Sequence, residues 1–410
     1  TDTASLDRSR VLGFATTLGG ATSHVAILAR SLGIPAVIGT DARALGIADG
    51  TTVVLDGTAG TITLQPSAEN VAEIRERQSL IEQRRTLDAE RAAEPATTTD
   101  GHRVEVAANI GGLAEAGEVV RLGGDGVGLL RSEFLFLGRT TAPTEDEQYE
   151  VYRGIVEALD GRPLIIRSLD VGGDKPLAYL PIAAEENPFL GMRGIRVGLE
   201  RPDILRIQFR AVLRAARHGD IRLMLPMVSR LEEFQEARAI LEDERAKLGA
   251  GAIALGVTVE VPAAAILAPV FAREADFFSI GTNDLTQYTL AMDRGHAKLA
   301  KVVDSLEPAV LKLIASTVDG ARAHDRWVGV CGGIASDPHA IPILLGLGVD
   351  ELSVSLPSIP TVKAEVRALN IERCRRLAGR ALESGSAAEV RRSVEDEMPE
   401  ALGSASRHKD

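Results

Sequence analysis

Eight short apolar runs alternate with stretches of helical spacing over most of the chain, and this alternation is what most limits the fold. The runs are VEVAAN (104–109), GVGLLR (126–131), LIIRSLD (164–170), RLMLPMV (222–228), LGVTVEV (255–261), FFSIG (277–281), VGVCGG (328–333) and ELSVS (351–355). They are nearly continuous in apolar character rather than strictly alternating, which suits parallel strands covered on both faces. Eight such units within about 250 residues predict a (β/α)8 barrel, with a doubly wound sheet as the alternative. The polar residues favour the barrel. Arg131, Arg167, Asp170, Glu260, Asn283, Asp284 and Cys331 all fall at or just after the C-terminal ends of predicted strands, where barrel sites assemble. Capping-box spacing at Thr144–Glu147 and at Ser229–Glu232 marks two of the helix starts.

The region before the barrel reads differently. Residues 1–66 hold short strand candidates (VLGFATT, AVIG, TTVVLDG, TITL) around a helical HVAILARSLGIP, the pattern of a small α/β piece. Residues 67–95 are rich in Glu and Arg, with sparse apolar positions, and predict an exposed helix or helical pair ended by Pro95. The expected organisation is thus 1–66, a helical linker 67–95, a barrel 96–390 and a tail 391–410.

Composition closes off several function classes. With 58 acidic against 46 basic side chains the net charge is −12, which argues against a duplex-coating or polybasic role, so no nucleic-acid partner is expected. Two cysteines provide no disulfide framework and point to a reducing, cytoplasmic setting. The chain has no apolar run of about 18 residues, so no membrane span is expected.

Several segments carry chemistry. In GGATSHVAILARSLGIPAVIG (19–39), His24 follows a Gly-Gly turn at a helix start, where backbone N–H groups favour an anion such as a phosphoryl group. A cap or a solvent-facing histidine is the other reading. Arg131, Arg167 and Arg193 sit at strand ends or in a Gly- and Pro-rich loop. Guanidinium groups grip phosphate and carboxylate bidentately, although bridges to Glu133, Asp170 or Glu186 would equally occupy them. Lys175 in GGDK is a weak phosphate-loop signal. Glu260, Asn283 and Asp284 offer hard oxygen ligands from neighbouring strands, a set suited to Mg2+, while Asp284 could instead cap the helix that follows. Cys331, flanked by glycines, is either a small buried hydrophobe or a proton donor at the barrel mouth.

Taken together, GGATSHVAILARSLGIPAVIG, GVGLLRSEFLFLGRTTAPTEDEQ, EENPFLGMRGIR and DFFSIGTNDLTQYTLAMDRG resemble the phosphoenolpyruvate-protein phosphotransferases, the enzyme I family of the bacterial sugar phosphotransferase system. The resemblance extends over most of the chain. It implies a partial swivelling phosphohistidine domain over 1–66 and a phosphoenolpyruvate-binding barrel that forms a homodimer. It implies that His24 takes the phosphoryl group from phosphoenolpyruvate and passes it to a histidine phosphocarrier protein, releasing pyruvate. Arg131, Arg167, Arg193 and Arg294 match the family's substrate-gripping arginines, and Asn283 matches its phosphate support. Glu260 and Asp284 match the Mg2+ ligands, and Cys331 the cysteine that protonates the enolate. Segment 68–95 would be the hinge.

Three departures accompany the match. Ala21 stands where the family carries Arg before Thr-Ser-His, and Gly333 stands where Glu usually follows the Cys-Gly pair. The N-terminal part that docks the phosphocarrier is expected to be absent. A dikinase-related phosphoenolpyruvate or pyruvate enzyme is the alternative within the chemistry, but no ATP-grasp segment is visible. A catalytically silent regulatory or scaffolding paralogue is the alternative outside it.

Overall fold

The computed structural model describes residues 11–17, 29, 34–57, 60–173, 177–296, 298–399 and 401–402. Two compact units emerge, residues 1–88 with 290–303, and residues 89–289 with 304–410.

In the first unit, strand β1 (Phe14–Thr16) pairs in parallel with β2 (Ala36–Ile38), and β3 (Val53–Asp56) pairs antiparallel with β4 (Thr61–Leu64). The four strand candidates read from the first 66 residues therefore all form strands. Segment 67–95 contributes one continuous helix, Ala68–Glu90, begun by the Ser67 hydroxyl accepting from Asn70 N–H at 3.1 Å. Leu80, Ile81 and Leu87 remain exposed along it, as its sparse apolar positions predict.

The second unit is built on a closed, all-parallel barrel whose eight strands fall on the eight apolar runs. They are β5 (Glu105–Ile110), β6 (Val127–Arg131), β7 (Leu164–Arg167), β8 (Ile221–Leu225), β9 (Leu255–Val259), β10 (Phe277–Ile280), β11 (Trp327–Val330) and β12 (Glu351–Ser355). Each pairs with its sequence neighbour, and β12 closes on β5 through Leu352↔Val106 and Val354↔Ala108. Strand periodicity assigns the side chains. One parity, for example Val106 and Ala108 or Val257 and Val259, packs into the large core shared with the surrounding helices. The alternate parity lines the barrel axis, where Leu129, Ile165, Met224, Phe277 and Cys331 form a cluster of their own.

The N-terminal end of the axis is plugged by the Phe277 and Trp327 rings, stacked at 4.7 Å, with the Arg222 guanidinium 5.6 Å from the indole. Glu351 is buried beside this plug, its carboxyl packed where a Cβ on Gly128 or Gly329 would otherwise sit. Burial, reinforced by Glu105, raises its pKa to about 8.

Helix starts follow local chemistry, with one shift from the sequence reading. At Thr144 the capping box forms as expected, Thr144 N–H donating to Glu147 at 2.8 Å and Glu147 N–H to the Thr144 hydroxyl at 3.2 Å. At the other site the reach-back residue is Glu233 rather than Glu232. The buried Glu233 accepts from Ser229 and Arg230 N–H at 2.8 and 3.1 Å, while Glu232 points to solvent. Asn370 caps the helix Ile371–Glu383 by accepting from Arg373 N–H at 3.1 Å, and Asp100 adds an acceptor for Ile371 N–H at 3.0 Å, tying the segment that opens the barrel unit to this late helix. The helix Ala387–Glu397 runs through residue 391, where a tail is expected from sequence, and Val394, Met398 and Ala401 are buried. Among the described residues no helix is long and apolar enough to cross a membrane.

Candidate functional site

Because β-strand parity is fixed, the residue that ends or just follows several strands falls on the axial face at the C-terminal mouth. Arg131 ends β6, Arg167 ends β7, Glu260 follows β9 and Cys331 follows β11. Asn283 and Asp284 open the helix Thr282–Leu290 directly after β10. Arg193 comes from the loop before the helix Ile195–Glu200. That loop packs down on the 171–173 segment, where Gly172 has φ +103° and a Cβ would lie 2.2 Å from Met192 O.

The side chains form one buried lattice. Arg167 reaches Glu133 at 2.8 Å, Asp170 at 3.2 Å and Glu260 at 3.2 Å. Arg193 reaches both oxygens of Asp170, at 3.2 and 3.3 Å, and Asp284 at 2.8 Å. Asp170 thus bridges the two arginines. Burial works against both guanidinium charges, yet the surrounding carboxylates outweigh it and raise both pKa values, Glu133 leading for Arg167 and Asp170 for Arg193. The second oxygen of Glu260 accepts from Met227 N–H at 2.9 Å. Burial pushes the Glu260 carboxyl upward against the pull of Arg167, with Asp170 and Asp284 adding to the rise.

Arg131 is different. Among the described residues it has no hydrogen bond or ion pair, and burial draws its pKa down, only partly offset by Glu133. The Cys331 thiol is pushed up to about 11, chiefly by burial, and is a protonated thiol at neutral pH. It donates to Ile280 O at 3.7 Å. The exposed Asn283 accepts from Gly333 N–H at 3.1 Å, joining the Asn-Asp turn to the cysteine loop.

The bridge reading of the arginines therefore describes Arg167 and Arg193, through Glu133, Asp170 and Asp284 but not Glu186, and leaves Arg131 outside it. Arg294 falls in 290–303, within the first compact unit rather than the barrel unit. His24, Ala21 and Lys175 lie outside the described residues. Two residues, Asn109 and Tyr288, join the group without having been singled out by sequence, and Asp170 has a larger part than its sequence position suggests. Asn109 shares the axial parity at the end of β5 and bonds to Cys331 O, a position a parity count would have flagged. Asp170, expected at a strand end and as a bridging partner, serves both Arg167 and Arg193. Tyr288 accepts from Arg193 at 3.4 Å and donates to Phe189 O, a link that no sequence pattern announces.

Among the described residues no group of three or more His, Cys, Asp and Glu is gathered as a metal cage. Glu260 and Asp284 are hard-oxygen donors from adjacent strand ends, each already contacting an arginine. Two carboxylates completed by substrate oxygens and water are a donor set that Mg2+ accepts.

A parallel barrel whose mouth gathers arginines and carboxylates at its strand ends belongs to the class of (β/α)8 proteins whose polar groups collect at the C-terminal face. Comparison with known proteins narrows it. The PEP-binding domain of PEP-utilising enzymes matches residues 66–371 and the mobile domain of PEP-utilising enzymes matches residues 1–60. The chain belongs to this PEP-utilising family, and its similarity within it runs to the phosphoenolpyruvate-protein phosphotransferases. It is 45% identical over 402 residues to the phosphoenolpyruvate-protein phosphotransferase of Staphylococcus carnosus, covering 96% of this chain and 70% of that protein. It is 42% identical over 401 residues to the one from Haemophilus influenzae, again covering 96% and 70%. With the multiphosphoryl transfer protein of Rhodobacter capsulatus it shares 51% identity over 390 residues, 95% of this chain and 47% of that protein. The chain thus spans about half the length of the multiphosphoryl relatives it matches.

Proposed function

We propose that the barrel binds phosphoenolpyruvate and that its phosphoryl group passes to His24 and then to a histidine phosphocarrier protein. The observation that carries the reading is Arg131, a desolvated cation without a carboxylate partner among the described residues, beside two arginines already braced by acids. A half-buried guanidinium with no ion-pair partner among the described residues is a favourable place for an anion to complete. Phosphoenolpyruvate supplies a phosphate and a carboxylate, and Arg131, Arg167 and Arg193 are the groups to hold them, with Asn283 supporting the phosphate. Arg294 joins this set by family resemblance alone.

The charge balance favours a bridging cation. Among the described residues four carboxyl groups, those of Glu133, Asp170, Glu260 and Asp284, gather around the guanidiniums, so the phosphate and carboxylate of the substrate would enter beside acids. Glu260 and Asp284 would hold Mg2+, which when bound supplies Lewis-acid polarisation of phosphate oxygens. In the transfer an imidazole nitrogen of His24 forms a bond to phosphorus as the bond to the enolate oxygen breaks. Cys331 gives its proton to the enolate carbon, yielding pyruvate and a thiolate that recovers a proton from solvent. A thiol that keeps its proton at neutral pH suits an acid in this step. A homodimer through the barrel belongs to the same reading and is checked by light scattering on the chromatographed protein.

The test is a rapid-quench time course with phosphorus-labelled phosphoenolpyruvate and Mg2+. The expected result is acid-labile, base-stable label on the protein and pyruvate in equal amount, both lost in His24→Ala. Undiminished label in His24→Ala, or no binding of phosphoenolpyruvate by the parent chain, refutes the proposal.

A further inference from the structure

Cys331 can act on the enolate carbon only if its thiol is aimed there, and the segment that follows it, Gly332-Gly333, has no side chain to hold the strand end in place. Its N–H donates to Ile280 O at 3.0 Å, which fixes one side of the residue. The other side, its carbonyl, accepts from Asn109 Nδ2 at 3.3 Å. The same Nδ2 donates to Ser353 O at 2.9 Å, and the Ser353 hydroxyl donates to Asn109 Oδ1 at 2.8 Å. These contacts define the amide orientation. Two carbonyl acceptors require the NH2 group on one side, and a hydroxyl donor occupies the oxygen on the other. One side chain thus clamps the ends of β5, β11 and β12 across the closure of the barrel.

We infer that Asn109, oriented by Ser353, is a positioning residue for Cys331 that sets the direction of its thiol in the proton-transfer step. The inference rests on the proposed role of Cys331 and extends it to a side chain that acts through the main chain. Asn109 contributes no charge and is only partly buried, so its removal leaves the arginine and carboxylate lattice intact. A misplacement of an ångström in a reacting group lowers a rate by about 100-fold. Loss of one of the two main-chain anchors at Cys331, the one at its carbonyl, is expected to produce a smaller displacement and a fall of about tenfold.

By microscopic reversibility the step can be read without His24, as exchange of the pyruvate methyl protons with deuterium oxide, followed by proton NMR with Mg2+ present. Asn109→Ala and Asn109→Asp, neither of which retains the N–H donors, are expected to slow exchange about tenfold while pyruvate affinity changes by less than about twofold. Ser353→Ala keeps the donors but frees the amide to rotate, and is expected to fall between these variants and the parent. In a Cys374→Ala background the infrared S–H stretching band of Cys331 should broaden on Asn109→Ala, a signature independent of turnover. Exchange at the parent rate in both Asn109 variants overturns the inference, and so does a loss of exchange matched by an equal loss of pyruvate affinity. If the parent is inert, or Cys331→Ala exchanges as fast as the parent, the role of Cys331 itself fails and the inference falls with it.

Discussion

Replacing Arg131 and Arg167 in turn should separate binding from stability, because the two arginines share a mouth but differ in electrostatic setting. Arg167 contacts Glu133, Asp170 and Glu260, all buried. Arg167→Ala leaves three carboxyl groups in a low-dielectric site without their common cation, a change that costs about 3–5 kcal/mol when a buried pair is broken. Arg131→Ala instead removes a cation that burial disfavours and that no carboxylate contacts among the described residues. Its expected cost is within about 1 kcal/mol of zero, of either sign. The chain has one tryptophan, and Trp327 is stacked on Phe277 inside the barrel, so its fluorescence follows unfolding of that unit. With a urea m-value of about 3 kcal/mol/M, Arg167→Ala should lower the midpoint by about 1–1.7 M and Arg131→Ala by no more than about 0.3 M. Both should lose phosphoenolpyruvate affinity in titration calorimetry. If Arg131→Ala is as destabilising as Arg167→Ala, Arg131 is a structural bridge and the argument for an anion at its guanidinium collapses.

Other perturbations test other parts of the fold. A Cβ on Gly332 would lie 2.8 Å from Thr282 N and closer still to its hydroxyl, so Gly332→Ala should cost about 1–3 kcal/mol in urea unfolding and displace the Cys331 loop; an unchanged midpoint would show that this loop shifts freely. Glu351 has a folded pKa raised to about 8, so the native barrel binds more protons than the unfolded chain above the ordinary carboxyl range. Stability should therefore fall as pH rises from about 4.5 to 8, by up to about 1.4 kcal/mol per unit, and Glu351→Gln should flatten that slope; identical pH profiles for the two proteins would count against a neutral buried Glu351. Asp100→Ala removes the side-chain acceptor of Ile371 N–H and should lower the midpoint in the same assay, whereas Glu232→Ala should be nearly silent, since Glu233 is the residue that closes its helix start.

The barrel was legible because its determinants are local. Eight apolar runs, each bounded by helical spacing, state the number of strands, and parity then decides which residue of each strand end faces the axis. Arg131, Arg167, Glu260 and Cys331 follow from that logic alone. What the sequence withheld depends on contacts between loops that are distant along the chain. Asp170 serves two arginines at once, one at the end of its own strand and one from a loop 23 residues on, and nothing in LIIRSLDVGGDK distinguishes such a bridge from a single pair. The Glu232 and Glu233 choice turned on which of two adjacent carboxylates faced inward, a matter of helix phase that the S-x-x-E spacing does not encode.

The same distinction explains why the arginines could not be ranked from sequence. Each of Arg131, Arg167 and Arg193 follows an apolar segment and lies near an acid in the chain, so spacing treats them alike. Packing does not. Glu133 is two residues from Arg131 in sequence, yet its carboxylate reaches across to Arg167 at 2.8 Å, because successive strands place their ends side by side at the mouth. The acid nearest in sequence is thereby taken by the neighbouring strand, and Arg131 is left facing the axis. The arginine with the weakest structural reason to be there is thus the one whose position a bound anion best accounts for, which is why substituting Arg131 should cost affinity with little change in stability, whereas substituting Arg167 should cost both.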